Sequence, residues 1–152
     1  MAALGGESVL YVATALASRD AELDQRVLLH RDRRPAGWGT LELGGGDLDL
    51  VLEDAEGWGA VLLDSLTLWV SARMLAGEGE ETSREEFDRF LDGAMALATP
   101  LVLVSDEVGL GIVPEGVAAR SFRDLLGLVN QRAAAVAEEV RLCVAGIAVR
   151  IK

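Results

Sequence analysis

The chain has 152 residues, a formal net charge of −11, 51% hydrophobic residues, a mean hydropathy of +0.29 and a single cysteine. This length supports one domain spanning residues 1–152 with a sizeable core, and the charge argues against non-specific nucleic-acid binding, which needs a broad cationic face. No apolar run reaches the roughly 18 residues of a membrane span, the first residues lack a basic and apolar leader, and a lone cysteine makes no internal disulfide, so a cytoplasmic protein is expected.

In chain order, residues 9–13 form the first β-branched apolar run, read as a buried strand and closed by the polar break Thr14. A helical pattern follows over 20–33. Residues 38–42 alternate as a short strand, Gly44-Gly45-Gly46 is a turn, and 48–52 is a short amphipathic stretch. A second buried strand over 60–63 ends in Asp64-Ser65 and leads to a helix over 66–75. Residues 77–82 read as an exposed loop before a helix over 83–97, opened by Ser83 with Glu86 three residues on, the spacing of a capping box. The strand over 101–104 runs into Ser105-Asp106-Glu107, and a long helical pattern covers 117–139. Residues 140–145 read as a fourth buried strand with Cys143 a small interior residue, and 147–151 as a terminal strand. Strands alternating with helices imply an α/β fold with a mostly parallel sheet.

In such sheets ligands bind beyond the carboxyl ends of the strands, which points to Thr14, Asp64-Ser65 and Ser105-Asp106-Glu107. Val61-Leu62-Leu63-Asp64 has the form of a Walker B strand, whose terminal carboxylate holds Mg²⁺; the alternative is that Asp64 only caps the next helix. His30, the only histidine, stands among Arg26, Arg31, Arg33 and Arg34. Neutral imidazole is a competent nucleophile near pH 7, and guanidinium forks hold phosphate oxygens, so the group suits attack on an activated phosphorus. The plainer reading is a helical histidine near a basic helix end, which the helix dipole favours. Gly109 and Gly111 read as turn glycines with positive φ or as shapers of a site loop. Arg120, Arg123 and Arg132 read as partners of Asp124, Glu138 and Glu139 on a solvated helix face, whereas Asn130 in mid-helix asks for another explanation. Trp38, Trp58 and Trp69 read as core or interface residues.

Taken together, Val9-Leu10-Tyr11-Val12-Ala13-Thr14-Ala15, Arg26-Val27-Leu28-Leu29-His30-Arg31, Arg34-Pro35, Trp38-Gly39-Thr40-Leu41-Glu42, Leu62-Leu63-Asp64-Ser65-Leu66-Thr67-Leu68-Trp69, Glu107-Val108-Gly109-Leu110-Gly111-Ile112-Val113-Pro114, Asn130-Gln131-Arg132 and the closing Ala145-Gly146-Ile147-Ala148-Val149-Arg150-Ile151-Lys152 carry a resemblance. The chain resembles, nearly end to end, the bifunctional adenosylcobinamide kinase/adenosylcobinamide-phosphate guanylyltransferase family of cobalamin biosynthesis. The resemblance implies a P-loop NTPase (RecA-like) three-layer fold. It also implies two reactions: phosphorylation of adenosylcobinamide by GTP or ATP with Mg²⁺, and transfer of GMP from GTP, through a histidine, to adenosylcobinamide phosphate. By position His30 matches the histidine that carries GMP. The family's nucleotide contacts fall on Thr14, Ala15 and Leu16, on Arg31, Asp32, Arg33 and Arg34, on Glu42 and on Asp64, which is also the metal-side carboxylate. The family tends toward homo-oligomers.

One departure stands against this agreement. Family members carry a strand, a glycine-rich loop ending in Gly-Lys-Ser and a helix ahead of the segment that matches Val9, whereas here the only lysine is Lys152. That loop supplies the amides, lysine and hydroxyl that hold phosphates and Mg²⁺, so weak triphosphate binding is expected. An N-terminally incomplete version of the enzyme is the expectation, with a central strand absent and unpaired edges on its neighbours. A nucleotide-binding or oligomer-forming remnant without catalysis is the alternative. Asp106 and Ala72 stand where the family commonly has Asn.

Overall fold

Alternation along the strands decides which side of the sheet becomes the core. In the computed structural model, which describes residues 8–16 and 34–152, β1 (Val9–Ala13), β2 (Gly39–Glu42), β3 (Ala60–Asp64) and β4 (Leu101–Val104) form one parallel sheet in the order β2-β1-β3-β4. The helix expected over 20–33, with His30, Arg31, Asp32 and Arg33, lies outside the described residues. The described helices are α1 (Asp49–Asp54), α2 (Leu66–Leu75), α3 (Glu80–Met95) and α4 (Val117–Val136).

Leu10, Val12, Val61 and Leu63 project to one face and join a single core cluster with Val51 of α1, Trp69 of α2, Phe87 and Phe90 of α3 and Leu126 of α4. Phe87 stands between Trp69 and Phe90 with ring centroids 6.0 Å apart on either side, in tilted contacts that aromatic quadrupoles favour. Successive side chains point to opposite faces, so Tyr11, Ala13, Leu62 and Asp64 lie on the other face, where they are half-buried. The described residues thus form two layers, with all four helices feeding the same core. The strands pair without an internal gap, and β4, though wholly apolar, has no partner strand on its outer edge among the described residues.

Three sequence expectations need correction. Residues 140–145 do not form a buried strand of the main sheet: β5 (Arg141–Val144) and β6 (Ile147–Arg150) make a separate antiparallel hairpin, every residue of it exposed, including Cys143. Ala145 and Gly146, at φ of 50° and 79°, supply the two left-handed residues of a tight hairpin turn, so the pairing is local and needs no crossover. Second, α3 begins at Glu80 rather than Ser83, with acidic Glu80 and Glu81 in the first turn where the helix dipole favours them. No capping box forms. Ser83 is buried with its hydroxyl unpartnered, and Glu86 is turned inward. Third, α4 ends at Val136, short of residue 139, and Glu139 instead pairs with Arg141 and Arg150 at the hairpin. The short strand at β2, the amphipathic stretch at α1, and the limits of α2 agree with the reading from sequence.

The loop over 43–48, which leaves β2, is pinned from below. The Trp69 indole N–H donates to Gly46 O at 3.2 Å, Arg73 Nη1 donates to Gly45 O at 3.4 Å, and Leu48 N donates to Glu86 Oε1 at 3.3 Å. Arg73 pairs with both Glu86 and Glu78, and the Arg73 and Glu86 side chains are only 13% and 8% exposed. Burial pushes the Glu86 carboxyl above its ordinary 4.5 despite the pull of Leu48 N–H and Arg73. A carboxyl raised in the folded state contributes stability that is present below about pH 4.5 and lost as the pH rises through the raised value. Arg73→Met, which strands Glu86 without its cation, is therefore expected to cost about 3–5 kcal/mol, with the larger loss at the higher pH. Urea denaturation at about pH 5 and about pH 8 checks both the size and the sign.

Candidate nucleotide site

The parallel register sets Glu42, Ala13, Asp64 and Val104 side by side at the carboxyl ends of β2, β1, β3 and β4. Adjacent strands lie about 4.8 Å apart, which puts the Cα atoms of Glu42 and Asp64 about 10 Å from one another with only Ala13 between. One pleat back, Thr40, Tyr11 and Leu62 form the next row on the same face. Here the Tyr11 hydroxyl donates to Asp64 Oδ2 at 2.6 Å. The Arg34 guanidinium carbon lies 3.6 Å from the centre of the Tyr11 ring, and Arg34 Nη1 donates to Thr40 Oγ1 at 2.9 Å. Burial, and then the Asp64 carboxylate, push the Tyr11 phenol up to about 12 against the opposing pull of Arg34, so it remains a donor.

Thr14 ends β1 and is fully buried. Its hydroxyl donates to Ser65 O and accepts from Ser65 N, both at 2.7 Å, while its own N–H donates to Asp64 O at 3.3 Å. The Thr14 side chain is thereby committed to Ser65, and what residues 14–16 offer outward is backbone together with the half-exposed Leu16. Ser65 is also the N-cap of α2, its hydroxyl accepting from Leu68 N at 3.3 Å. The cap is Ser65 and not Asp64, whose carboxylate instead lies beside Tyr11 and accepts its hydroxyl.

A second knot of bonds holds the loop after β4. Ser105 Oγ donates to Asn130 Oδ1 at 2.6 Å, Asn130 Nδ2 donates to Asp106 O at 3.0 Å, and Asp106 N donates to Thr67 Oγ1 at 2.9 Å. This explains an asparagine in the middle of α4. Arg123 Nη2 donates to Gly109 O at 2.8 Å and Arg120 Nη1 to Pro114 O at 3.0 Å, while Arg132 pairs with Asp88 of α3 at 2.7 Å. The pairing of these arginines with Asp124, Glu138 and Glu139 is not found, because each faces a neighbouring element rather than its own helix. Neither Gly109 nor Gly111 has positive φ. The Gly109 N–H donates to Glu107 Oε1 at 2.7 Å, and the only atoms an added Cβ would approach are those of the exposed, flexible Glu107 carboxylate, which can give way. Trp69 is in the core and Trp58 packs against it, as expected.

Among the described residues no three His, Cys, Asp or Glu side chains cluster to hold a metal alone. A single carboxylate at the end of β3 does fit Mg²⁺, which keeps its waters and takes one or two carboxylates together with substrate phosphates. Of the residues singled out from sequence, Thr14, Ala15, Leu16, Arg34, Glu42 and Asp64 gather at one end of the sheet, and His30, Arg31, Asp32 and Arg33 lie outside the described residues. Tyr11 and Thr40 were not foreseen; period-two counting back from Asp64 and Glu42 along paired strands finds both.

A parallel sheet flanked by helices, with polar residues at the carboxyl ends and a Walker B-like carboxylate closing β3, is an α/β fold of the P-loop-like class. Residues 1–151 match the family model of cobinamide kinase / cobinamide phosphate guanyltransferase, and the chain belongs to that family. It is 40% identical to the bifunctional adenosylcobalamin biosynthesis protein CobU of Salmonella typhimurium, covering 95% of this chain and 86% of that one. It is 36% identical to the protein of the same description, CobP, from Pseudomonas aeruginosa, covering 100% and 87%, and 37% identical to CobU of Escherichia coli, covering 99% and 90%.

Replacing Thr14 by Val keeps the shape and removes both bonds to Ser65; Ser65 O keeps the bond from Trp69 N at 3.1 Å, whereas the buried Ser65 N–H is left unpaired, at a cost of about 1–3 kcal/mol. Thr14→Ser keeps the hydroxyl and is expected to retain most of that stability; chemical denaturation of the two variants side by side checks it.

Proposed function

We propose that this chain carries out the two reactions of its family: phosphorylation of adenosylcobinamide by a nucleoside triphosphate, GTP or ATP, followed by transfer of GMP from GTP to adenosylcobinamide phosphate. The observation that carries this reading is the sheet face on which no described helix packs, where Glu42 and Asp64 close β2 and β3 and Arg34 lies one pleat back over Tyr11. In the guanylyl transfer, a neutral ring nitrogen of His30 attacks the α-phosphorus of GTP, and the bond to the bridging oxygen breaks to release pyrophosphate. A phosphate oxygen of the corrinoid then attacks the same phosphorus, the phosphorus–nitrogen bond breaks, and His30 is regenerated as adenosylcobinamide-GDP forms. The guanidinium groups of Arg31, Arg33 and Arg34 offset phosphate charge, with Asp32 beside them, while Glu42 reads the guanosine portion. Backbone groups at Thr14, Ala15 and Leu16 complete the nucleotide contacts. Asp64 would hold Mg²⁺, which when bound offsets charge on the phosphates.

A second reading, a nucleotide-binding remnant without catalysis, is favoured by one observation. The only lysine among these 152 residues, Lys152, donates to Ala134 O and Ala135 O, each at 2.9 Å, at the far end of α4. Incubation with α-labelled GTP and Mg²⁺ separates the two. The transferase reading predicts an acid-labile GMP adduct that maps to His30 and is lost in His30→Ala with the fold intact. Bound but unreacted GTP would favour the remnant, and an adduct undiminished in His30→Ala would remove His30 from the role given to it.

A further inference from the structure

Arg34 and Asp64 belong to different parts of the chain, yet a single side chain touches both. The Tyr11 hydroxyl donates a hydrogen bond to Asp64 Oδ2 at 2.6 Å, and its ring faces the Arg34 guanidinium, whose carbon lies 3.6 Å from the ring centre. Among the described residues Arg34 has one further hold, on Thr40 Oγ1 at 2.9 Å, and its Nε is buried with no hydrogen bond, so the ring is the described surface against which the group is seated. Among the described residues Asp64 Oδ2 accepts the phenol and Oδ1 accepts no hydrogen bond, so the phenol fixes one carboxylate oxygen. Arg34 is four residues beyond His30 in sequence.

We propose that Tyr11 is a positioning residue of the nucleotide site: its ring seats Arg34 toward the phosphates of a guanine nucleotide, and its hydroxyl orients the Asp64 carboxylate toward the accompanying divalent cation. This rests on the nucleotide reading above. The two roles separate chemically, because phenylalanine keeps the platform for the guanidinium and discards only the bond to Asp64, whereas leucine discards both.

The test is calorimetric binding of GTP to the whole chain and to Tyr11→Phe and Tyr11→Leu, with Mg²⁺ and with EDTA, alongside the thermal midpoint of each. Tyr11→Phe is expected to weaken binding by about three- to tenfold in Mg²⁺ and to leave the EDTA arm unchanged. Tyr11→Leu is expected to weaken both arms, since Arg34 acts on the phosphates with or without the metal. Tyr11→Phe binding as the unaltered chain does in Mg²⁺, or the two variants falling equally in both arms in step with their thermal midpoints, would overturn the positioning role while leaving the nucleotide reading in place. Failure of the unaltered chain to bind GTP in either arm would overturn the nucleotide reading and this inference with it.

Discussion

The buried hydroxyl of Thr14, donating to Ser65 O and accepting from Ser65 N, is the constraint on which the rest of the site depends. It ties the end of β1 to the turn between β3 and α2: it satisfies the Ser65 N–H, which would otherwise be buried and unpaired, and adds a second donor to Ser65 O beside Trp69 N. Everything on the open face follows from that alignment. With Ser65 fixed, Asp64 stands opposite Ala13, Glu42 stands opposite Ala13 on the other side, and Ser65 is free to cap α2. The core makes the constraint rigid, since Val12 and Leu63, the neighbours of Ala13 and Asp64 along their strands, are completely buried beneath it.

The two faces of the sheet do different work because their chemistry is divided with period two. Leu10, Val12, Val61 and Leu63 supply apolar area to the helices, while Thr40, Tyr11, Glu42 and Asp64 keep polar groups on the side where the described helices do not pack. In a chain of net charge −11, a phosphate ligand must be met by local cations, and Arg34 stacked on Tyr11 is such a cation held in a fixed place. Glu42 and Asp64 then stand on either side of Ala13, a residue with almost no side chain.

How much of this could be read from sequence depends on whether the determinant was local. The runs of β1, β3 and β4, and the limits of α2, follow from apolar periodicity and from Ser65 as cap, and they were read to within a residue. Ser83 and Glu86 have the spacing of a capping box, but the nearer partners of Glu86 are Arg73 and Leu48 N, which come from other elements and are invisible to a local motif. The same applies to Arg123 and Gly109, whose relation runs between helix and loop. The hairpin of β5 and β6 was misread as interior because its residues are β-branched and apolar; the two-residue Ala145-Gly146 gap was the signal that outweighed composition. Asp64 and Glu42 were reached through motif and resemblance, whereas Tyr11 required the register, which no single stretch of sequence contains.

The central claim is that guanine nucleotide binds on the open face at the carboxyl ends of β1, β2 and β3. Amide hydrogen exchange of the chain with and without GTP and Mg²⁺ tests it most directly, because the contacts assigned to residues 14–16 are backbone groups. The account predicts slowed exchange confined to residues 14–16, 42–44 and 64–65 and to the stretch around His30. Protection at the β5–β6 hairpin or along residues 105–116, with the strand ends unchanged, would contradict it.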